Sequence, residues 1–199
     1  MIPEIGVKTI FAILASLVGA AGVFPYLRDI FLRKTKPHAY SFLVWTITQG
    51  TAVAGLWYGN GGWGAIAFSL SIVPVFFTFL FSLKYGTRNI TKGDTIILVA
   101  ALLAIIVWWR LHEPVLSVLM VSIIDVAGYF PTFRKTFKDP WSETVSSWTI
   151  FSLSNILSMM ALNAYNFLTL AYLVSITIAN LVLLAISLAR RRVVPRIAN

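Results

Sequence analysis

The chain has 199 residues, of which 58% are hydrophobic and 12% are charged, and its formal net charge is +9. A soluble domain is about a quarter charged, so this composition excludes an ordinary soluble fold and indicates an all-α membrane protein. Cysteine is absent, which excludes disulfides, thiolate metal sites and cysteine nucleophiles. We attribute the positive charge to loops on one side of a membrane rather than to nucleic-acid binding.

Seven apolar segments follow one another along the chain, and each is predicted to cross the membrane as a helix. A spanning helix needs about 20 mainly apolar residues. Turns rich in glycine or asparagine, which tolerate positive φ, separate the second segment from the third and the sixth from the seventh. The predicted spans cover residues 7–27, 39–58, 63–83, 95–109, 115–133, 144–162 and 167–189.

The distribution of lysine and arginine predicts the orientation of these spans. If the C-terminus lies inside, 14 of the 16 Lys and Arg residues fall on the cytoplasmic side, and only Lys8 and Arg110 fall outside. Cytoplasmic loops carry an excess of these residues. The pattern therefore predicts seven spans with the N-terminus outside and the C-terminus inside.

One stretch of the sequence occurs twice. The first copy is Gly22-Val23-Phe24-Pro25, followed by Pro37 and Trp45, and the second is Gly128-Tyr129-Phe130-Pro131, followed by Pro140 and Trp148. In both copies the later proline precedes the tryptophan by 8 residues. Such a match indicates an internal duplication.

The duplication predicts a single transmembrane domain, residues 1–199, with a 3+1+3 arrangement. A first three-helix repeat covers 7–84, a linker helix covers 95–111, and a second three-helix repeat covers 115–190. The lone linker restores the chain direction, so both repeats face the same way, as in parallel-repeat transporters.

This layout resembles the SWEET and PQ-loop superfamily, in which two three-helix bundles enclose a central substrate path. Gly55-Leu56-Trp57-Tyr58-Gly59 looks like the end of the second helix in plant-type SWEETs. The family's Pro-Gln pair is replaced by Pro25-Tyr26 and Pro131-Thr132. The chain looks most similar to small bacterial PQ-loop-like proteins of undefined substrate, and nicotinamide riboside transporters share the layout.

Asp125 is the first candidate for a functional residue, because it is the only charged residue well inside a predicted span. A carboxylate at mid-bilayer costs roughly 2.5–3.5 kcal/mol on insertion scales, and such residues usually face a cavity or a polar partner. A carboxyl that is neutral when occluded and ionised when wet would couple protons to transport. The alternative is a structural hydrogen bond to Ser122 or to the sixth span.

Asn180 is the second candidate, in the seventh span, where the resemblance implies a substrate-facing asparagine. Its amide would bind the hydroxyl or carbonyl groups of a ligand. The alternative is a hydrogen bond that joins two helices.

The sequence places further candidates on the second and sixth spans. Trp45 and Trp148 are paired by the repeat and are expected to face each other as an inner gate, a stacking surface or simple core packing. Polar residues near them are expected either to line the path or to join helices. These are Gln49, Ser152 and Asn155.

Pro25 and Pro131 occupy matched places and are predicted to act as hinges for alternating access, or else to end their helices. Neither metal-ligand spacing nor an enzyme motif occurs in the sequence. We therefore expect no enzyme, no metal and no cofactor.

The sequence predicts a secondary transporter or facilitator for a small polar metabolite, either sugar-like or vitamin- or nucleoside-like, with proton coupling through Asp125. The alternative is a non-transporting interaction or assembly protein that retains the same fold. The expected partners are the substrate and the lipid bilayer, without nucleic acid, and a homo-oligomer is left open. The expected location is a bacterial inner membrane, crossed several times.

Overall fold

A computed structural model describes residues 6–87, 90–111 and 113–195, without the side chains of 101, 104, 105, 107–109 and 111. Arg88 and Arg196, two of the cations counted for the orientation, lie outside this description. The described residues form seven α-helices and one short 3-10 helix, Pro140–Ser142. The α-helices are α1 (Val7–Phe31), α2 (Ala39–Tyr58), α3 (Trp63–Tyr85), α4 (Lys92–Leu111), α5 (Pro114–Lys138), α6 (Val145–Met160) and α7 (Phe167–Arg191).

Three prolines lie inside these helices, and they have different effects. Pro74 coincides with a break in α3, which divides at Ser71 into Trp63–Leu70 and Ile72–Tyr85. A proline lacks the N–H that would bond four residues back, and its ring displaces that carbonyl. Pro25 and Pro131 lie within α1 and α5, which continue to Phe31 and Lys138. These two prolines therefore do not end their helices.

Four helices, α1, α3, α5 and α7, are long and apolar enough to cross a membrane. Their outward faces carry large apolar side chains such as Leu17, Phe24 and Ile123, which are 63%, 75% and 61% exposed. Side chains of this kind are stable against lipid and costly against water. Composition, helix length and surface together make this an all-helical membrane protein.

The helices pack in a regular pattern. Helices α1, α2 and α3 form a first group, in which α3 packs on α1 and α2. Helices α5, α6 and α7 form a second group, in which α7 packs on α5 and α6. The two groups meet where α1 crosses α6 and where α2 crosses α5, and α4 packs on α5 and α2. These two crossings surround the centre of the bundle and position its polar side chains.

Two apolar clusters fill the interior on either side of that centre. One includes Leu56, Phe68, Val118 and Leu173, on α2, α3, α5 and α7. The other is aromatic and lies nearer the basic ends of α1 and α5. A smaller cluster of Ala12, Ala15, Ala67 and Ala161 packs α1 against α3 and the end of α6.

Candidate functional site

Asp125 lies at the crossing of α2 and α5, where it is 1% exposed. Its Oδ1 accepts hydrogen bonds from Thr48 Oγ1 on α2 and from Tyr172 OH on α7, the latter at 2.6 Å. The sequence pointed to Ser122 or α6 as alternative partners, but Ser122 Oγ donates to Val118 O on its own helix. Asp125 therefore joins three helices through neutral hydroxyl groups.

The close approach of α2 to α5 depends on Gly128, one turn from Asp125. A Cβ at Gly128 would lie 3.1 Å from Val44 Cγ1 and 3.2 Å from Trp45 Nε1. Ser41 Oγ donates to the Gly128 carbonyl at 2.7 Å, and Thr132 Oγ1 donates to Ser41 at 3.0 Å. The repeated glycine thus marks a helix contact, which the repeat alone did not reveal.

Asn180, on α7, bonds to α5, the helix that carries Asp125. Its Oδ1 accepts from Tyr129 OH at 2.6 Å, and Asn180 is 3% exposed. Tyr129 follows Asp125 by one turn of α5, and Asn180 follows Tyr172 by two turns of α7. We call the five side chains Thr48, Asp125, Tyr129, Tyr172 and Asn180 the polar ladder.

Trp45 and Trp148 meet across the centre of the bundle, as the sequence predicted. Their ring centroids are 5.9 Å apart at an interplanar angle of 75°. With Tyr26, Phe42 and Tyr129 they form a buried group that we call the aromatic cluster. Trp45 Nε1 donates to the Asp125 carbonyl at 3.3 Å, so the cluster contacts the polar ladder directly.

Glu143, in the loop before α6, is a buried carboxylate that sequence reasoning missed as a site residue. It is 2% exposed and forms an ion pair with Lys135 on α5. Its Oε2 also accepts from Trp148 Nε1 at 2.8 Å and from Tyr26 OH at 3.3 Å. The sequence analysis did not separate Glu143 from the other loop charges, because loop position gives no sign of burial.

Three further candidates are buried, and among the described residues none of them hydrogen-bonds to the polar ladder: Gln49, Ser152 and Asn155. Gln49 Nε2 donates to Ser71 Oγ at the break in α3. Ser152 Oγ donates to the Trp148 carbonyl at 2.8 Å, within its own helix. Asn155 is 9% exposed, on α6. For Gln49, the contact is the helix-joining bond that the sequence left as an alternative.

At the end of the bundle away from the aromatic cluster, two turns contact each other. Asn163 N donates to Gly61 O at 3.1 Å, and Asn166 Nδ2 donates to Gly59 O at 2.9 Å. Gly62 has φ +56°, and a Cβ there would lie 2.1 Å from Asn163 Nδ2. We call residues 59–62 and 163–166 the turn pair.

A depression in the surface of the described part of the structure lies away from the polar ladder. It is an open groove of about 860 Å³ between the outward faces of α5 and α7, lined mainly by apolar residues such as Ile123, Phe130, Leu170 and Val174. The five side chains of the polar ladder are each at most 4% exposed, so the ladder is closed to solvent in this structure.

Comparison with protein-family models, curated proteins and solved structures finds no match. The fold and the buried polar groups define the class, an all-helical membrane protein with a polar centre. The resemblance to the SWEET and PQ-loop superfamily stays a prediction from sequence.

Proposed function

We propose that this protein is a secondary transporter or facilitator that moves a small polar metabolite by alternating access. The observation that carries the proposal is the polar ladder, which is buried where the two groups of helices meet. Polar and ionisable side chains are costly to bury inside a membrane protein, and where they occur they mark substrate and ion pathways in many transporters. Sugar-like and vitamin- or nucleoside-like compounds offer the hydroxyl and carbonyl groups that this ladder would bind.

The proposed topology has seven spans, an outside N-terminus and two parallel repeats. Exchange of the two repeats converts the α1–α6 crossing into the α5–α2 crossing, and both crossings are present. The more polar α2 has 20 residues, which at about 1.5 Å per residue give about 30 Å, enough for the hydrocarbon core. A bacterial inner membrane is the proposed location.

The closed structure corresponds in this proposal to an occluded state. Opening towards the cytoplasm would separate the aromatic cluster and the Glu143–Lys135 pair. Opening towards the outside would separate the two members of the turn pair, together with Lys8, whose Nζ donates to Asn163 O at 3.1 Å. Pro25 and Pro131 lie inside helices that take part in the crossings, and each removes one backbone hydrogen bond, which supports their role as hinges.

Asp125 is the proposed site of proton coupling. Its side-chain partners, Thr48 and Tyr172, are hydroxyl groups. A hydroxyl donates to a carboxylate and also accepts from a carboxylic acid, so the same geometry satisfies both protonation states. An ammonium partner can only donate hydrogen bonds, so it would favour the ionised carboxylate alone.

The test is uptake and counterflow in proteoliposomes, across a panel of sugars, amino acids and vitamin-like nucleosides, with and without a proton gradient. We expect at least one compound to be transported, and Asp125→Asn to abolish transport or its dependence on the gradient. The matched control is Asp94→Asn. Asp94 is also buried, at 3% exposed, but it pairs with Arg134 and caps the start of α4.

Failure to transport any compound, with a folded protein, would favour the non-transporting interaction or assembly protein. One observation is compatible with that alternative, since every member of the polar ladder already has a partner inside the protein. If Asp94→Asn impaired transport as much as Asp125→Asn, the assignment of Asp125 would be wrong.

A further inference from the structure

The basic ends of α5 and α7 come together at one corner of the bundle. Arg190 Nε donates to the Phe137 carbonyl at 2.9 Å, and its guanidinium carbon lies 4.3 Å from the centre of the Phe137 ring. Arg191 is held in a similar way: its Nε donates to Pro140 O at 3.0 Å, and its guanidinium stacks 4.6 Å from the centre of the Trp141 ring. Both guanidinium groups are therefore fixed by the fold before any ligand binds.

This corner carries an excess of positive charge. Lys138 and Arg192 are exposed next to the two fixed arginines, and the one exposed acid among residues 137–143 and 188–195 is Asp139. Glu143 is buried and already paired with Lys135. Within these two ranges there are therefore four cations, Lys138, Arg190, Arg191 and Arg192, and a single exposed carboxylate.

Apolar side chains lie directly beside these cations. Phe137, Leu188 and Val193 are 55%, 51% and 66% exposed. Trp141, whose Nε1 donates to Val194 O at 3.0 Å, lies at the same corner. Tryptophan is typical of the membrane–water boundary, and a guanidinium binds phosphate oxygens with two parallel hydrogen bonds.

We propose that this corner binds the headgroup of an anionic phospholipid. The phosphate would lie among Lys138, Arg190 and Arg192, and the acyl chains would lie along Phe137 and Leu188. The site is separate from the polar ladder and does not depend on transport. Arginine stacked on an aromatic ring and bonded to a carbonyl has a defined orientation, which distinguishes this site from a diffuse basic surface.

The test is native mass spectrometry of the detergent-purified protein, titrated with phosphatidylglycerol or with phosphatidylcholine of the same acyl chains. We expect the wild type to retain phosphatidylglycerol preferentially. Lys138→Gln with Arg192→Gln should reduce that retention about 25-fold, since each cation near an anionic lipid surface contributes about fivefold. The control is Lys34→Gln with Lys36→Gln, which removes the same charge from exposed positions in the α1–α2 loop.

Arg190→Lys gives a second comparison, because it keeps the charge and removes the planar fork. We expect it to weaken retention of phosphatidylglycerol without changing retention of phosphatidylcholine. If Lys138→Gln/Arg192→Gln and Lys34→Gln/Lys36→Gln lost the same amount of phosphatidylglycerol retention, the attraction would be diffuse and the proposed site would be wrong. Equal retention of both lipids by the wild type, or full displacement of phosphatidylglycerol by millimolar inorganic phosphate, would also overturn it.

Discussion

The α1–α6 and α2–α5 crossings join the two groups of helices at corresponding positions, but their chemistry differs. In the α1–α6 crossing, a Cβ at Gly22 would lie 2.8 Å from Phe151, and one at Gly19 would lie 2.9 Å from Ser154 Oγ. In the α2–α5 crossing, Asp125 occupies the place that corresponds to Gly19 and bonds to Thr48. One crossing is tight and largely apolar, and the other contains a buried carboxyl at its centre.

The difference indicates which crossing is suited to move. Close packing of small residues has one good arrangement, because any separation leaves a void. Polar side chains can exchange one partner for another, for example a water molecule or a ligand hydroxyl. In the proposed transport cycle, α1–α6 is therefore the fixed crossing and α2–α5 is the one that changes.

The largest expected effect concerns the carboxylate at the end of the α1–α6 crossing. Glu143 bonds to Tyr26 on α1 and Trp148 on α6, and it is paired with Lys135. Lys135→Met would leave this buried charge unpaired, at a cost of about 3–5 kcal/mol in the free energy of unfolding. Thermal unfolding in detergent measures the loss. Adding Glu143→Gln should restore most of the stability, because it removes the charge itself.

The control for Lys135 is its neighbour, Arg134. Its side chain is 37% exposed, against 11% for that of Lys135, so water screens the Arg134–Asp94 pair more strongly and Arg134→Met should cost less stability than Lys135→Met. The chain has no cysteine, so Ser152→Cys gives a single labelling position beside the aromatic cluster. Reaction of this cysteine with a thiol-specific probe should increase in the double variant Lys135→Met/Glu143→Gln, which lacks the ion pair, and should not increase in Arg134→Met. If Lys135→Met and Arg134→Met were equally stable, the proposal that the Glu143–Lys135 pair helps to close this end of the bundle would be contradicted.

The next effect concerns Asp125 and its two hydroxyl partners. Thr48→Val and Tyr172→Phe should each cost about 1.5–3 kcal/mol if Asp125 is ionised, and about 0.5–1.5 kcal/mol if it is neutral. A double-mutant cycle of Asp125→Asn with Tyr172→Phe isolates the pair. The control is Ser154→Ala on α6, which removes a neutral bond of 2.8 Å to Ala15 O in the other crossing.

The outcome of that cycle also tests the comparison of the crossings. A coupling energy for Asp125 and Tyr172 above that expected for a neutral bond would mean that the central carboxyl is charged in the closed state. If Thr48→Val and Ser154→Ala cost the same, the two crossings are energetically alike. The proposal that only α2–α5 changes would then lose its basis.

The sequence predicted the helices well and their ends less well. Apolar segments and glycine turns placed seven helices within a few residues of those observed, because a membrane helix is defined by length and hydropathy. The predicted ends of α1 and α5, at residues 27 and 133, fall short of the observed ends at Phe31 and Lys138, since polar residues at a helix end look like the start of a loop. The break at Ser71 is local and depends on Pro74, which the hydropathy pattern does not register.

The candidate site was predicted in part. Asp125 and the tryptophan pair were identified because an internal charge and a repeated aromatic residue are visible in one sequence. Tyr129 and Tyr172 were missed because tyrosine is common in membrane helices, and only the packing brings their hydroxyl groups to Asn180 and Asp125. The partner of a buried polar group depends on helix rotation, which sequence spacing alone does not fix.

Alanine substitutions of glycines form a graded series that ends with the smallest expected effect. Gly22→Ala should destabilise the protein by about 1–3 kcal/mol, because the new methyl group would meet Phe151 at 2.8 Å and Ile150 at 2.9 Å. Gly128→Ala should cost less, since the nearest atom is 3.1 Å away and belongs to a valine methyl group. Gly50→Ala, with nothing within 4 Å, should be neutral or stabilising by about 0.5–1 kcal/mol. Thermal unfolding of the three variants measures how much stability each loses, and so ranks how closely the helices pack at the α1–α6 crossing, at the α2–α5 crossing and at an uncrowded position. If Gly128→Ala proved the most damaging, α2–α5 would be the tighter crossing, and the fixed and moving roles would have to be exchanged.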